Sequence, residues 1–176
     1  MTKAWLAIAL GPIAVAGAFV LKNPDGDHFL GKLRDSLRVA RALDQVEILV
    51  KIVRKLIVQI PPGSRNNLMA ELIEKQIVPN SMVRNTNEGV VVLSPWSTTI
   101  TTANENRGFG ITVPTSQLGC VKILMSSSGS GVYAISVNGQ RLKLPIKDND
   151  ATKSCVSGKS IPDVTFWFHA DVDGKS

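Results

Sequence analysis

The chain has 176 residues, of which 44% are hydrophobic and 19% charged. That is enough for one compact domain with an additional element, and it excludes both a disordered chain and a multi-span membrane protein. The formal net charge is +6; nine basic and five acidic residues precede Pro61, so four of those charges belong to the N-terminal part. The basic residues are interleaved with Asp and Glu, and the aromatics, including the only tyrosine, Tyr133, do not sit among them. This pattern argues against a surface that tracks phosphates or stacks bases, so no specific nucleic-acid partner is expected.

From Ala4 to Leu21 runs an uncharged, almost wholly apolar stretch of about 18 residues, near the lower limit for a helix that spans a bilayer. Two readings stay open. Met1-Thr2-Lys3 as a positive head and Ala14-Val15-Ala16 before Gly17 fit a signal peptide. Pro12 and Gly17 are tolerated in membrane helices, so the stretch equally fits a retained anchor. Either reading sends the rest of the chain out of the cytoplasm. A buried core helix fits less well, because it normally keeps a polar stripe and this segment has none. For Cys120 and Cys155 the compartment decides between a disulfide and two buried thiols.

Lys22-Asn23-Pro24-Asp25-Gly26-Asp27 reads as a turn or break. A second helix is predicted from Phe29 to Ile60. Its apolar residues Leu30, Leu33, Leu37, Ala40, Leu43, Val46, Val50, Val53, Ile57 and Ile60 advance by threes and fours, drawing one continuous stripe. From Val46 onward Ile48, Leu49, Ile52, Leu56 and Val58 widen the apolar arc, so the second half is expected to be covered and the first half to keep a polar side. Pro61-Pro62-Gly63 ends the helix.

A short helix follows, with Ser64 as its cap and Leu68, Met69, Leu72, Ile73 and Ile77 on one side, ending before Pro79. Beyond Gly89 the period changes. Val90–Leu93, Thr98–Thr102, Phe109–Val113, Val132–Val137, Arg141–Leu144 and Val164–His169 read as strands of an antiparallel sheet, interrupted by a short helix over Gln117–Met125. Asn138-Gly139 predicts a two-residue hairpin turn. The division is an anchor or signal segment over 1–22, an amphipathic helix over 23–63 and a globular head over 64–176, an α+β chain.

No constellation for catalysis is present. Neither His28 nor His169 has a Ser or Cys nucleophile motif beside it. Two cysteines and two histidines so far apart have no metal-ligand spacing. Gly108-Phe109-Gly110 lacks the helix and lysine of a phosphate loop and reads as a turn into a strand. Neither cofactor nor metal is expected.

The order of elements resembles the type IV pilins, in particular the type IVb branch that includes the conjugative and bundle-forming pilus pilins. Leu72-Ile73-Glu74-Lys75-Gln76-Ile77-Val78-Pro79-Asn80-Ser81-Met82 is similar to the family's short helix and its closing segment. Leu93-Ser94-Pro95-Trp96 resembles the family's turn into a strand, with Ser94 in place of Asn and Ser97-Thr98 in place of two glycines. Phe109–Pro114, Gly119-Cys120-Val121-Lys122-Ile123-Leu124, Val137-Asn138-Gly139, and Cys155 with Val164–Phe168 resemble the later strands, helix and cysteines in the same order. The first part departs from the family: Gly11 is followed by Pro12, and no Asp or Glu occurs between Met1 and Leu21.

The resemblance implies an α/β-roll, a long N-terminal helix packed on an antiparallel sheet, with a Cys120–Cys155 disulfide holding a C-terminal outer loop. It implies a structural subunit rather than an enzyme. Leu30, Leu33, Leu37, Ala40 and Leu43 would then pack against neighbouring copies in a filament. The implied partners are the chain itself, other pilins, the pilus assembly machinery and the inner membrane through the N-terminal segment, and the implied location is that membrane first and a surface pilus afterwards. The alternative is an anchored or secreted pilin-like binding module that does not polymerise. Receptor contacts would fall on exposed loops, of which Ser126–Gly131 and Ile146–Pro162 are the candidates.

Overall fold

The computed structural model describes residues 24–57, 68–87, 89–105, 108–126, 131–156 and 160–170, with side chains from Gly31 onward apart from Lys32. The Ala4–Leu21 segment, the Ser64 cap, the Pro61-Pro62-Gly63 stop and most of the Ser126–Gly131 loop lie outside these residues. Two units divide the chain, Met1–Asp35 and Ser36–Ser176.

Helix α1 spans Pro24–Ile57, so the break expected over Lys22–Asp27 is corrected from Pro24 onward. Proline suits a first helical position, where no N–H is needed. Of the first unit, the described part is the opening of this helix.

In the second unit the apolar stripe does not run straight. A step of three residues falls short of a full turn by about 60°, and Leu37, Ala40, Leu43 and Val46 are three such steps in succession. Together they carry the pattern about half way round the axis. Leu37 is accordingly 56% exposed and Val46 6%. Val39 and Ala42, not Leu37 and Ala40, continue the buried line of Val46, Leu49, Val53 and Leu56. As far as Ile57 the second half is covered as expected, except that Ile48 is exposed; Val58 and Ile60 lie outside the described residues.

Helix α2, Leu68–Glu74, is closed by Gln76 in the left-handed region (φ 54°). The N–H of Gln76 donates to the Ile73 carbonyl at 2.9 Å and that of Ile77 to the Leu72 carbonyl at 3.1 Å, a Schellman arrangement that satisfies the last carbonyls. Ile77 therefore lies past the helix and is exposed, a correction to its expected place on the apolar side. Next comes a two-stranded antiparallel hairpin, β1 (Val83–Thr86) and β2 (Gly89–Val92). The sequence hides β1, because Arg84-Asn85-Thr86 carries no apolar alternation.

The main sheet holds β3 (Thr101–Glu105), β4 (Gly108–Pro114), β5 (Val132–Val137), β6 (Gln140–Leu142) and β7 (Asp163–His169) in the order β3-β4-β7-β5-β6, all pairs antiparallel. Strand alternation turns Phe109, Ile111 and Val113 of β4, Ile135 and Val137 of β5, and Val164, Phe166 and Phe168 of β7 into one core with the buried line of α1. The strand expected at Thr98 begins at Thr101, because Ser94–Thr98 forms a turn. In it the Ser94 N–H donates to the Thr98 carbonyl at 2.8 Å and the Thr98 hydroxyl to the Pro114 carbonyl at 2.7 Å. Strand β6 stops at Leu142, ahead of Pro145, which has no N–H to give a ladder.

Helices α3 (Gln117–Ser126) and α4 (Asp148–Val156) complete the head. Helix α4 occupies a stretch expected as loop. Only Ala151 and Cys155 of its residues are buried, one turn apart, too few to set a readable period.

Candidate assembly surface and the disulfide-clamped corner

On α1, Leu37 and Val46 are nine residues apart, which at about 3.6 residues per turn places them on opposite sides of the helix. Leu37, with the exposed Ala40 beside it, is therefore a second apolar face, turned away from the head's own core. In the first unit Leu33 is 49% exposed; the side chain of Leu30 lies outside those described. Leu43 is half-buried and packs against the core. The five residues singled out in the sequence thus do not share one environment. Single exposed leucines carry little meaning, but an apolar row opposite a satisfied core face is what a helix needs to bury against a further partner. Exposed Arg41 and Asp44 stand one turn on from Leu37 and Ala40, and farther along the helix Lys51 bonds Glu47 at 2.7 Å, a bond and charge that hold the Glu47 carboxyl below its ordinary range.

The second feature is the corner where α3 meets α4. Cys120 and Cys155 are fully buried and disulfide-bonded, with Cα atoms 5.8 Å apart. Gly119 lets the Ser94–Thr98 turn close on α3: a Cβ there would stand 2.3 Å from Thr115 Oγ1 and 2.6 Å from Trp96 Cζ2. The Thr115 N–H donates to the Pro162 carbonyl at 3.0 Å, tying the same corner to the segment before β7. Trp96, the adjacent Gly119 and Cys120, Cys155 and Pro162, drawn from four separate places in the sequence, are thus parts of one joint. Gly119→Ala is expected to cost about 1–3 kcal/mol through overpacking, read as a lowered midpoint of chemical unfolding. An unchanged midpoint would show that the turn does not close there.

The outer face of the sheet carries a polar cluster that the sequence did not disclose. Arg141 Nη2 donates to both carboxylate oxygens of Glu105 at 2.5 and 2.7 Å, and the Tyr133 hydroxyl donates to the same carboxylate. Arg141 also lies over the Trp167 ring, 5.3 Å from its centroid, and Tyr133 stacks on His169 at 4.3 Å. Glu105 and Arg141 stand on the two edge strands. Flat, those strands would be about 19 Å apart at four strand spacings, so the contact requires the sheet to curl toward its outer face. No signal local to either residue could have revealed this. His169, weighed as a catalytic candidate, is a stacking partner here, and the nearby carboxylate is engaged by Tyr133 and Arg141.

Tyr133 and then Arg141 hold the Glu105 carboxyl below its ordinary range. Burial, and next the Glu105 carboxylate, push the Tyr133 phenol from 10.0 to about 12. A raised folded-state value means the contribution is whole below the ordinary value and fades as pH climbs from 10 toward 12. Tyr133 is the only tyrosine, so tyrosinate absorbance reports it alone. The folded chain is expected to titrate near 12, and Glu105→Gln to lower that midpoint only partly, since burial is the larger cause. A midpoint at the ordinary value in the folded protein would rule out the buried, bonded phenol.

Among the described residues no helix is long and apolar enough to cross a membrane; the Ala4–Leu21 segment is not among them. A long helix buried along one side by an antiparallel sheet, with a disulfide between two later helices, is a pilin-like α+β head. A family model described as PilS N terminal matches residues 39–166. The chain belongs to that family: it is a type IVb PilS-like pilin, from a structural, non-enzymatic class of pilus-related proteins. No curated protein and no solved structure matches it.

Proposed function

We propose that the chain is a structural subunit of a type IVb-like pilus, polymerising through packing of its N-terminal helices and serving adhesion, aggregation or conjugative contact. The observation that carries this reading is the exposed apolar face of α1 around Leu37 and Ala40, opposite the side that closes the head's core. A helix already satisfied on one side has no internal use for the other, and like helices from further copies supply the missing surface. In this reading residues 1–22 anchor the subunit in the inner membrane before assembly, 23–63 form the shared filament core, and 64–176 face outward. Its partners are further copies, other pilins and the assembly machinery.

The test is to shear appendages from cells expressing the native chain and probe the filament pellet, with Leu37→Glu in parallel. The native chain is expected in the pellet, and the variant retained in the cell with an unchanged head. Native chain absent from the pellet and held in membranes would overturn the proposal in favour of an anchored binding module. Equal recovery of the variant would remove this face from the assembly.

A further inference from the structure

Asn-Gly pairs are chemically vulnerable. The glycine N can attack the asparagine Cγ: an N–Cγ bond forms, the Cγ–Nδ2 bond breaks, and ammonia leaves with the proton from the glycine nitrogen. Water then opens the cyclic imide at either carbonyl, leaving aspartate or isoaspartate. Glycine favours the attack because no side chain hinders its nitrogen. In this chain the pair is Asn138-Gly139, whose positive φ angles of 51° and 83° make the two-residue turn between β5 and β6.

The turn is clipped to the start of β7 from both sides of Asn138. Its N–H donates to the Asp163 carbonyl at 2.9 Å, and its Oδ1 accepts from the Asp163 N–H at 3.0 Å. The side-chain amide is thereby held toward β7. Bringing Cγ onto the Gly139 nitrogen requires breaking the side-chain bond and rotating a residue whose backbone is also tied. Gly139 is itself exposed, with nothing within 4 Å of a Cβ placed on it, so bulk solvent reaches the turn while the clip holds the side-chain amide.

We propose that Asn138-Gly139 is a latent deamidation site held shut by the Asn138–Asp163 clip, so that opening of the β5–β6 hairpin is recorded as an irreversible change at residue 138. The isoaspartate product opposes closing again, because it lengthens the main chain by one atom and breaks the register Val137↔Gln140; the aspartate product keeps an oxygen that accepts from the Asp163 N–H.

The experiment compares the full chain, folded in detergent micelles, with the same chain reduced and unfolded in guanidinium, both in mildly alkaline buffer. Peptide mass mapping follows conversion at residue 138. The folded chain is expected to react at least about tenfold more slowly, as for any process that proceeds through a local opening. Asp163→Pro removes the N–H that holds Oδ1 at a strand-start position proline tolerates, and is expected to raise the rate in the folded chain. Gly139→Ala in the unfolded chain supplies the chemical control and is expected to slow the reaction. Equal rates in folded and unfolded native chain would overturn the proposal, and this comparison stands even if Asp163→Pro does not fold.

Discussion

Cys155→Ala is expected to cost the head about 4 kcal/mol, the loop-closure entropy of a bridge between residues 35 apart. Both sulfurs are buried at the α3–α4 contact, and an alanine there fits without introducing a polar group. The thiol left on Cys120 behaves as a small hydrophobe. What is lost is therefore mainly the constraint on the unfolded chain, while α4, which buries only Ala151 besides the cysteine, loses its covalent hold on α3. The measurement is guanidinium unfolding followed by tryptophan fluorescence, Trp96 and Trp167 lying in the head. Native protein under reductant should reproduce the variant's midpoint, and the variant should not respond to reductant. A shift below about 1 kcal/mol would mean that the reduced, unfolded chain already keeps α3 near α4.

The parts of this fold that were legible in the sequence are those fixed by neighbours in the chain. Asn138-Gly139 specifies its turn by φ alone, and β4, β5 and β7 alternate strongly enough to be placed within a residue or two. Helix α4 was not legible, because its packing rests on Ala151 and Cys155 and its other residues read as loop. The turn of the α1 stripe was in principle countable, since three successive steps of three rotate a pattern, but a list of apolar positions conceals the angle. The candidate surface divides in the same way. Exposure of Leu33 and Leu37 is a local property of a helix face, whereas the union of Glu105, Tyr133 and Arg141 depends on how far a five-stranded sheet curls. The cysteine pairing was legible from the resemblance to a family and from the apolar Ala4–Leu21 stretch, which sends the chain out of the cytoplasm.

Phe109→Ala is expected to cost about 3–5 kcal/mol, which against a typical domain stability of about 5–15 kcal/mol leaves a head that is partly unfolded or readily proteolysed. Phe109 is fully buried on the sheet's inner face, near one end of a strand paired on both sides. Its ring stacks on Phe168 with centroids 5.5 Å apart, directly across the β4–β7 ladder, so truncation loses both area and an aromatic pair. Phe109→Leu keeps most of the volume and should lose clearly less. The informative contrast is Leu37→Ala, also a large apolar residue cut to a methyl, where a surface position predicts a change within about 0.5 kcal/mol. Measured as unfolding midpoints on one chain, the pair separates the two apolar systems of the molecule. A large loss at Leu37 would place it in the head's own core and remove the face on which the proposed assembly rests; a small loss at Phe109 would place β4 in the opposite register. The expected order, Phe109 essential to the fold and Leu37 dispensable to it, leaves Leu37 free to be read by another copy.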